Sequence, residues 1–186
     1  MRHAVAFAAS FTLLTACSSK SGAEDSAVLD ARPAACDPEQ LGGGEVGDLA
    51  PEFTLLDQND APQALSAACG DVTLLVFGTF WCGKCQAEAE ELEALYQSHV
   101  GSGFSVFAAY SENLDGEPPT AAELTEWADF YGFTFPTVAD PSKVTDRTYD
   151  PDTETRPTNV LLSREGRVLS VGGVIPEEEI GVALGE

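Results

Sequence analysis

Val72-Thr73-Leu74-Leu75-Val76-Phe77, and soon after it Phe80-Trp81-Cys82-Gly83-Lys84-Cys85, decide how this chain folds. The first six residues form a continuous apolar run with β-branched side chains, the pattern of a strand buried on both faces of a sheet. Beyond the second cysteine, Ala87, Leu92, Leu95 and Tyr96 recur at helical spacing among Glu88, Glu90, Glu91 and Glu93, and Gly101 and Gly103 close the segment. Cys82 and Cys85 therefore stand between a buried strand and the start of a helix. There, free N–H groups and the positive end of the helix dipole favour a thiolate, which makes Cys82 the nucleophile. Cys85, one turn further on, is close enough to pair with Cys82 and to resolve a mixed disulfide. A ring this tight staples little chain, so a purely structural disulfide would contribute little. No second CxxC exists to complete a zinc site.

Outward from this centre, Phe53-Thr54-Leu55-Leu56 reads as a short strand closed by the turn residues Asp57-Gln58-Asn59-Asp60. Phe104-Ser105-Val106-Phe107-Ala108-Ala109-Tyr110 is a second buried strand, and residues 112–119 form a polar, Pro-rich loop. Thr120 with Glu123 at the third position has capping-box spacing and predicts a helix to Tyr131 that stops at Gly132. Phe135-Pro136-Thr137-Val138 is a short extended piece, and Val144 to Tyr149 a helical turn. Thr158-Asn159-Val160-Leu161-Leu162-Ser163 and Arg167-Val168-Leu169-Ser170-Val171 read as strands joined across Glu165-Gly166. A short acidic helix follows from Pro176. Strands joined through helices are expected to be parallel, and the closing hairpin antiparallel. The expected class is α/β, a mixed central sheet with helices on both faces.

The chain has 186 residues, with nine Lys plus Arg against 31 Asp plus Glu, a net charge of −22. Such a surface repels phosphates and anionic lipid, so no nucleic-acid partner is expected. With His3 and His99 the only histidines, a Cys–His catalytic pair would have to use His99. At the N-terminus, Arg2 and the short apolar run from Ala4 to Leu14 read as an export signal, too short to span a bilayer. Leu14-Thr15-Ala16-Cys17 resembles the lipobox of bacterial lipoproteins, in which the cysteine is lipidated. The expected organisation is a signal peptide over residues 1–16, a flexible Gly- and Ser-bearing tether over 17–44, and one domain over 45–186. Acyl chains on Cys17 would anchor the protein to a membrane facing the periplasm or exterior, each buried methylene contributing about 0.8 kcal/mol.

Phe80-Trp81-Cys82-Gly83-Lys84-Cys85 resembles the active-site motif of the thioredoxin superfamily. Ala50-Pro51-Glu52-Phe53 ahead of it and Glu88 after it resemble the TlpA/ResA-like branch of exported thiol–disulfide oxidoreductases, over roughly residues 45–173. The resemblance implies a thioredoxin-like three-layer fold and a redox-active Cys82–Cys85 disulfide with no further cofactor and no metal. In that family a cis proline faces the cysteine pair before a core strand; Arg156-Pro157-Thr158 matches it, with Pro136 as a rival. It implies substrate contact by Trp81, Gly83, Lys84 and Arg156, and an active-site carboxylate at Glu88. Two departures stand out. Lys84 replaces the proline of many members, and it either stabilises the thiolate or stays in solvent. Val76 stands where thioredoxin has a buried Asp, so the proton relay differs.

The implied partners are protein thiols or disulfides of the cell envelope and an upstream thiol redox partner, with the protein itself a monomer. With Cys17 lipidated and the CxxC self-paired, Cys36 and Cys69 remain as a pair; a disulfide closing 69 − 36 = 33 positions would contribute roughly 3–4 kcal/mol. Two rival functions exist. Thr79-Phe80-Trp81-Cys82 matches the Thr-x-x-Cys part of the peroxiredoxin motif, although Leu75 stands where that motif has proline. A non-enzymatic binding module, such as a thioredoxin-fold copper carrier, would want C-x-x-x-C and a distant His, and neither is present.

Overall fold

The computed structural model describes residues 42–151 and 155–186, apart from the side chains of residues 145 and 146. The expected signal peptide, Cys17, Cys36 and nearly all of the tether lie outside the described residues. Cys69 takes part in a disulfide, and Cys36, its expected partner, is among those outside. Residues 42–44, the end of the expected tether, lie against the chain that follows them. Gly43 N–H donates to the Leu49 carbonyl at 2.9 Å. A Cβ on Gly42 would strike that carbonyl, and one on Gly44 would strike the Thr148 carbonyl. Glycine at these places permits a close backbone approach.

Among the described residues, seven strands form one sheet: β1 (Thr54–Asp57), β2 (Pro62–Ala64), β3 (Val72–Gly78), β4 (Phe104–Tyr110), β5 (Thr137–Ala139), β6 (Thr158–Leu162) and β7 (Val168–Gly172). Their spatial order is β2-β1-β5-β4-β3-β6-β7. β3 pairs in parallel with β4, and β4 with β5; β6 returns antiparallel on β3 and continues antiparallel to β7. Four α-helices are described: α1 (Gly83–His99), α2 (Ala121–Tyr131), α3 (Val144–Tyr149) and α4 (Glu177–Leu184). The expected α/β class and mixed sheet hold, and β2 is an addition. Its three residues carry no alternating pattern, and it exists because the turn after β1 returns it to register, Thr54 opposite Ala64.

The strand run at 72–78 is apolar but for Thr73, and all of it is buried, as on a strand covered on both faces. Val72, Leu74 and Val76 meet Ala89 and Leu92 of α1, Leu124 and Trp127 of α2 and Ile180 of α4. Leu75 and Phe77 face the other way, onto Phe53, Tyr149 of α3 and the short 3₁₀ helix Leu65–Ala68. Helices thus cover both faces, but unequally. Of the four positions expected on the core face of α1, Leu92 is buried and Leu95 and Tyr96 pack against the same core, but Ala87 does not. Cys85, Ala89 and Leu92 are buried, spaced four and three, whereas Ala87 is exposed. Two residues from Cys85 is about 200° of rotation, which carries Ala87 off the core face.

α2 is capped as expected. Glu123 N–H donates to Thr120 Oγ1, and Thr120 N–H donates to Glu123 Oε2. The helix ends at Gly132 in the left-handed region, φ 75°. The turn between β6 and β7 is longer than a two-residue one: Ser163 N–H donates to the Arg167 carbonyl, and Gly166 at φ 77° reverses the chain.

Candidate active site

β3 ends at Gly78, and the chain turns through Thr79, Phe80 and Trp81 onto the N-terminus of α1. Cys82 is the residue that caps this helix. Its backbone is extended, and its Sγ accepts the N–H of Cys85 at 3.2 Å. Cys82 and Cys85 are disulfide-bonded, with Cα atoms 5.2 Å apart. Both are buried, Cys82 at 7% and Cys85 at 3% exposure. What reaches solvent is the rim: Trp81 is 52% exposed, and Gly83 and Lys84 are exposed.

Aromatic packing holds the turn. Phe80 stacks on Trp127 with ring centroids 4.0 Å apart and meets Tyr110 edge-on at 5.1 Å. Its N–H donates to the Glu112 carbonyl, and its carbonyl accepts from Gln86 Nε2 at 2.6 Å. Gly78 is a site residue that the sequence alone did not single out. A Cβ there would come within 3.2 Å of Cys85 Sγ and 3.4 Å of the Tyr110 ring. A glycine ending an otherwise bulky apolar strand was the available signal.

Trp81 is held from the loop after β4. Its Nε1–H donates to Glu112 Oε2 at 2.7 Å, and Lys143 Nζ pairs with Glu112 Oε1 at 2.6 Å. The Lys143 ammonium holds the Glu112 carboxyl below the usual carboxylate range; partial burial opposes this and the Trp81 N–H adds to it. Neither residue carries a local sequence signal, since both come from distant segments.

The Arg156–Pro157 bond is cis. Pro157 is buried and Arg156 half-buried, at the mouth of a groove of about 1000 Å³. Lys84, Glu88, Arg156 and Pro157 line it together, and Leu95 and Ile175 continue it along α1. Cys82 and Cys85 are not among its lining residues.

Glu88 lies on the floor of this groove. Burial pushes its carboxyl above the ordinary value, and a hydrogen bond from Asn159 partly offsets the rise. The donor is Asn159 Nδ2 and the acceptor Glu88 Oε1. A carboxyl raised on folding contributes stability below its unfolded pKa and loses it as pH rises through the folded value. Glu88→Gln keeps an acceptor for Asn159 and removes the charge. Its stability relative to the parent should therefore improve between pH 4 and pH 7.5. Urea midpoints of the two proteins across that range check this; parallel curves would contradict it.

His99 stands at the far end of α1, about 25 Å along the helix from Cys82. Its Nε2 lies 3.2 Å from Glu177 and its Nδ1 3.3 Å from Glu186. It ties α1 to α4 and is not a partner of the cysteine pair.

The model of the AhpC/TSA family matches residues 46–171. Thioredoxin-like protein YneN of Bacillus subtilis is 25% identical over 129 residues, covering 69% of this chain and 72% of that protein. Alkyl hydroperoxide reductase E of Mycobacterium tuberculosis is 35% identical over 97 residues, 51% of this chain and 59% of that protein. The crystal structure of a candidate thiol:disulfide interchange protein DsbE from Chlorobium tepidum superposes with a TM-score of 0.64 at 26% identity, covering 75% of this chain and 98% of that one.

Proposed function

This chain belongs to the AhpC/TSA family, as a TlpA/ResA-like member of the thioredoxin superfamily, and from that position we propose that it reduces protein disulfides in the cell envelope from a lipid anchor, with Cys82 attacking and Cys85 resolving. Thiol–disulfide oxidoreduction itself follows from the family and its relatives. That activity displaces the reading as a non-enzymatic binding module. The observation that supports these cysteine roles is the Cys85 N–H directed at Cys82 Sγ, at the first turn of α1. An N–H donor and the helix dipole stabilise negative charge on that sulfur and on no other sulfur at this site. The anchor rests on the Leu14-Thr15-Ala16-Cys17 resemblance.

In the reduced protein the Cys82 thiolate attacks one sulfur of a substrate disulfide, and the other substrate sulfur leaves as a thiolate. The product is a mixed disulfide. Cys85 then gives its thiol proton to the Glu88 carboxylate, and its sulfur attacks Cys82 Sγ. The Cys82–Cys85 bond forms, the bond to the substrate breaks, and its electron pair leaves with the substrate sulfur. Two electrons pass from the cysteine pair to the substrate, and an upstream thiol partner restores them. Exposed Trp81, Gly83 and Lys84, with the backbone of Arg156 beside Pro157, supply the contact surface.

Cys85→Ala should accumulate mixed disulfides on Cys82, identifiable by mass spectrometry after non-reducing capture. The wild type should reduce insulin disulfides. No trapped partner together with no insulin reduction would overturn the reading.

A second reading, a thiol peroxidase, is favoured by Thr79. Its hydroxyl is buried without a hydrogen-bond partner among the described residues, three positions before Cys82. The alkyl hydroperoxide reductase match supports it over half the chain, and Leu75 in place of proline weighs against it. Hydrogen peroxide consumption driven by a dithiol separates the two readings.

A further inference from the structure

Asn159 lies two residues beyond Pro157 on β6 and is fully buried. In the sheet register it stands directly opposite Val76 of β3. Directly opposed residues of an antiparallel pair share a face, and Val76 packs in the core that includes Ala89 and Leu92 of α1. Asn159 therefore points to the α1 side, where Glu88 stands one helical turn beyond Cys85. Val76 has no polar atom to offer. The polar chemistry of this pocket comes from Asn159 on the sheet and Glu88 on the helix, brought together from 71 positions apart.

We infer that Asn159 is the positioning residue for Glu88: its side-chain amide holds Oε1 and leaves Oε2 as the oxygen that exchanges a proton with the cysteine pair. The assignment rests on the redox reading given above. Three observations carry it. Asn159 Nδ2 donates to Glu88 Oε1. Glu88 Oε2 is buried and has no hydrogen-bond partner among the described residues. Asn159 Oδ1 is likewise buried and unpartnered, so the amide is held in place by its N–H side alone. A buried carboxylate keeps a single orientation only where a donor fixes one oxygen, and a buried donor on a charged acceptor is among the stronger hydrogen bonds. Other ionisable groups around Glu88 are Lys84 and Glu91 on α1, Arg156 ahead of β6, Glu177 at the start of α4, and Tyr110 of β4.

Asn159→Leu removes the donor and keeps the side chain's branching and its number of heavy atoms. The ionised form of Glu88 then loses its partner, so a higher pH is needed to ionise it. The acid limb of the pH–rate profile for disulfide exchange should move up by about one pH unit, tenfold in proton affinity. Asn159→Thr, which restores a hydroxyl donor on a β-branched strand residue, should recover part of the shift. In a Glu88→Gln background Asn159→Leu should produce no shift. An equal shift in that background, or none in the parent, would overturn the assignment.

A measurement on the wild type needs no variant at Asn159. The side-chain amide resonances of Asn159 should titrate with the Glu88 carboxyl carbon, at one midpoint, and this response should vanish in Glu88→Gln. Amide resonances that ignore the Glu88 titration overturn the assignment even if the protein exchanges disulfides. A protein that exchanges none, with coupled resonances, overturns the redox reading and leaves the Asn159–Glu88 pair standing.

Discussion

Cys82→Ser should lower the rate of disulfide exchange by at least about a thousandfold, with the fold intact, because a hydroxyl at this site stays protonated at neutral pH and is a weak nucleophile. Sulfur at position 82 receives a backbone N–H at 3.2 Å on the first turn of a 17-residue helix. That environment stabilises a thiolate and has much less to act on in an alcohol. Cys85 does not replace it, being one turn inside the helix and away from the capping position, with its Sγ against Gly78. The comparison protein is Cys85→Ala, which should still form the mixed disulfide and then stall. Insulin reduction and single-turnover reaction with an aromatic disulfide read the two defects separately. A Cys82→Ser protein retaining a tenth of the parent rate would place the nucleophile elsewhere. Far-UV circular dichroism confirms that the fold survives.

Phe80→Ala should cost about 3–5 kcal/mol of folding stability, the range for truncating a fully packed aromatic side chain. Phe80 is 4% exposed and lies flat on Trp127, 2° from parallel, with Tyr110 edge-on. These three rings come from the active-site turn, α2 and β4, so the truncation opens a cavity where three elements meet. A native domain holds about 5–15 kcal/mol in all, which makes this loss a large share. Urea denaturation gives the number, and near-UV circular dichroism reports the loosened Trp127. The same truncation slackens the turn that presents Cys82, so exchange should slow even at temperatures where the variant is folded. A loss below 1 kcal/mol would mean that the ring is not clamped between its two neighbours.

Much of the architecture follows from signals that span only a few residues. The apolar run at 72–77 becomes the central strand, Thr120 and Glu123 cap α2, and Gly132 ends it. Cys82 and Cys85 lie between strand and helix, as their neighbours require. The hairpin at 158–172 forms, although its turn is wider than two residues. Local signals are less reliable about rotation. Leu92, Leu95 and Tyr96 reach the core as their spacing predicts, yet Ala87 does not and Ala89 does, because Ala89 stands four residues after buried Cys85 and on the same face.

The chain as written thus determines the layered sheet and the redox pair, since backbone propensity, capping and hydrophobic period act among near neighbours. Three contacts that shape the site come only with the tertiary structure. Glu112 reaches Trp81 across 31 positions, Asn159 reaches Glu88 across 71, and Gly78 makes room for Cys85 by lacking a side chain. Each depends on strand register and on how α1 lies across the sheet; the glycine ending β3 is a local hint of the third, and nothing beside the other residues in sequence announces the first two. The Asn159–Glu88 contact also draws its weight from burial, because a carboxylate in water has no need of a partner and one packed between α1 and the sheet does.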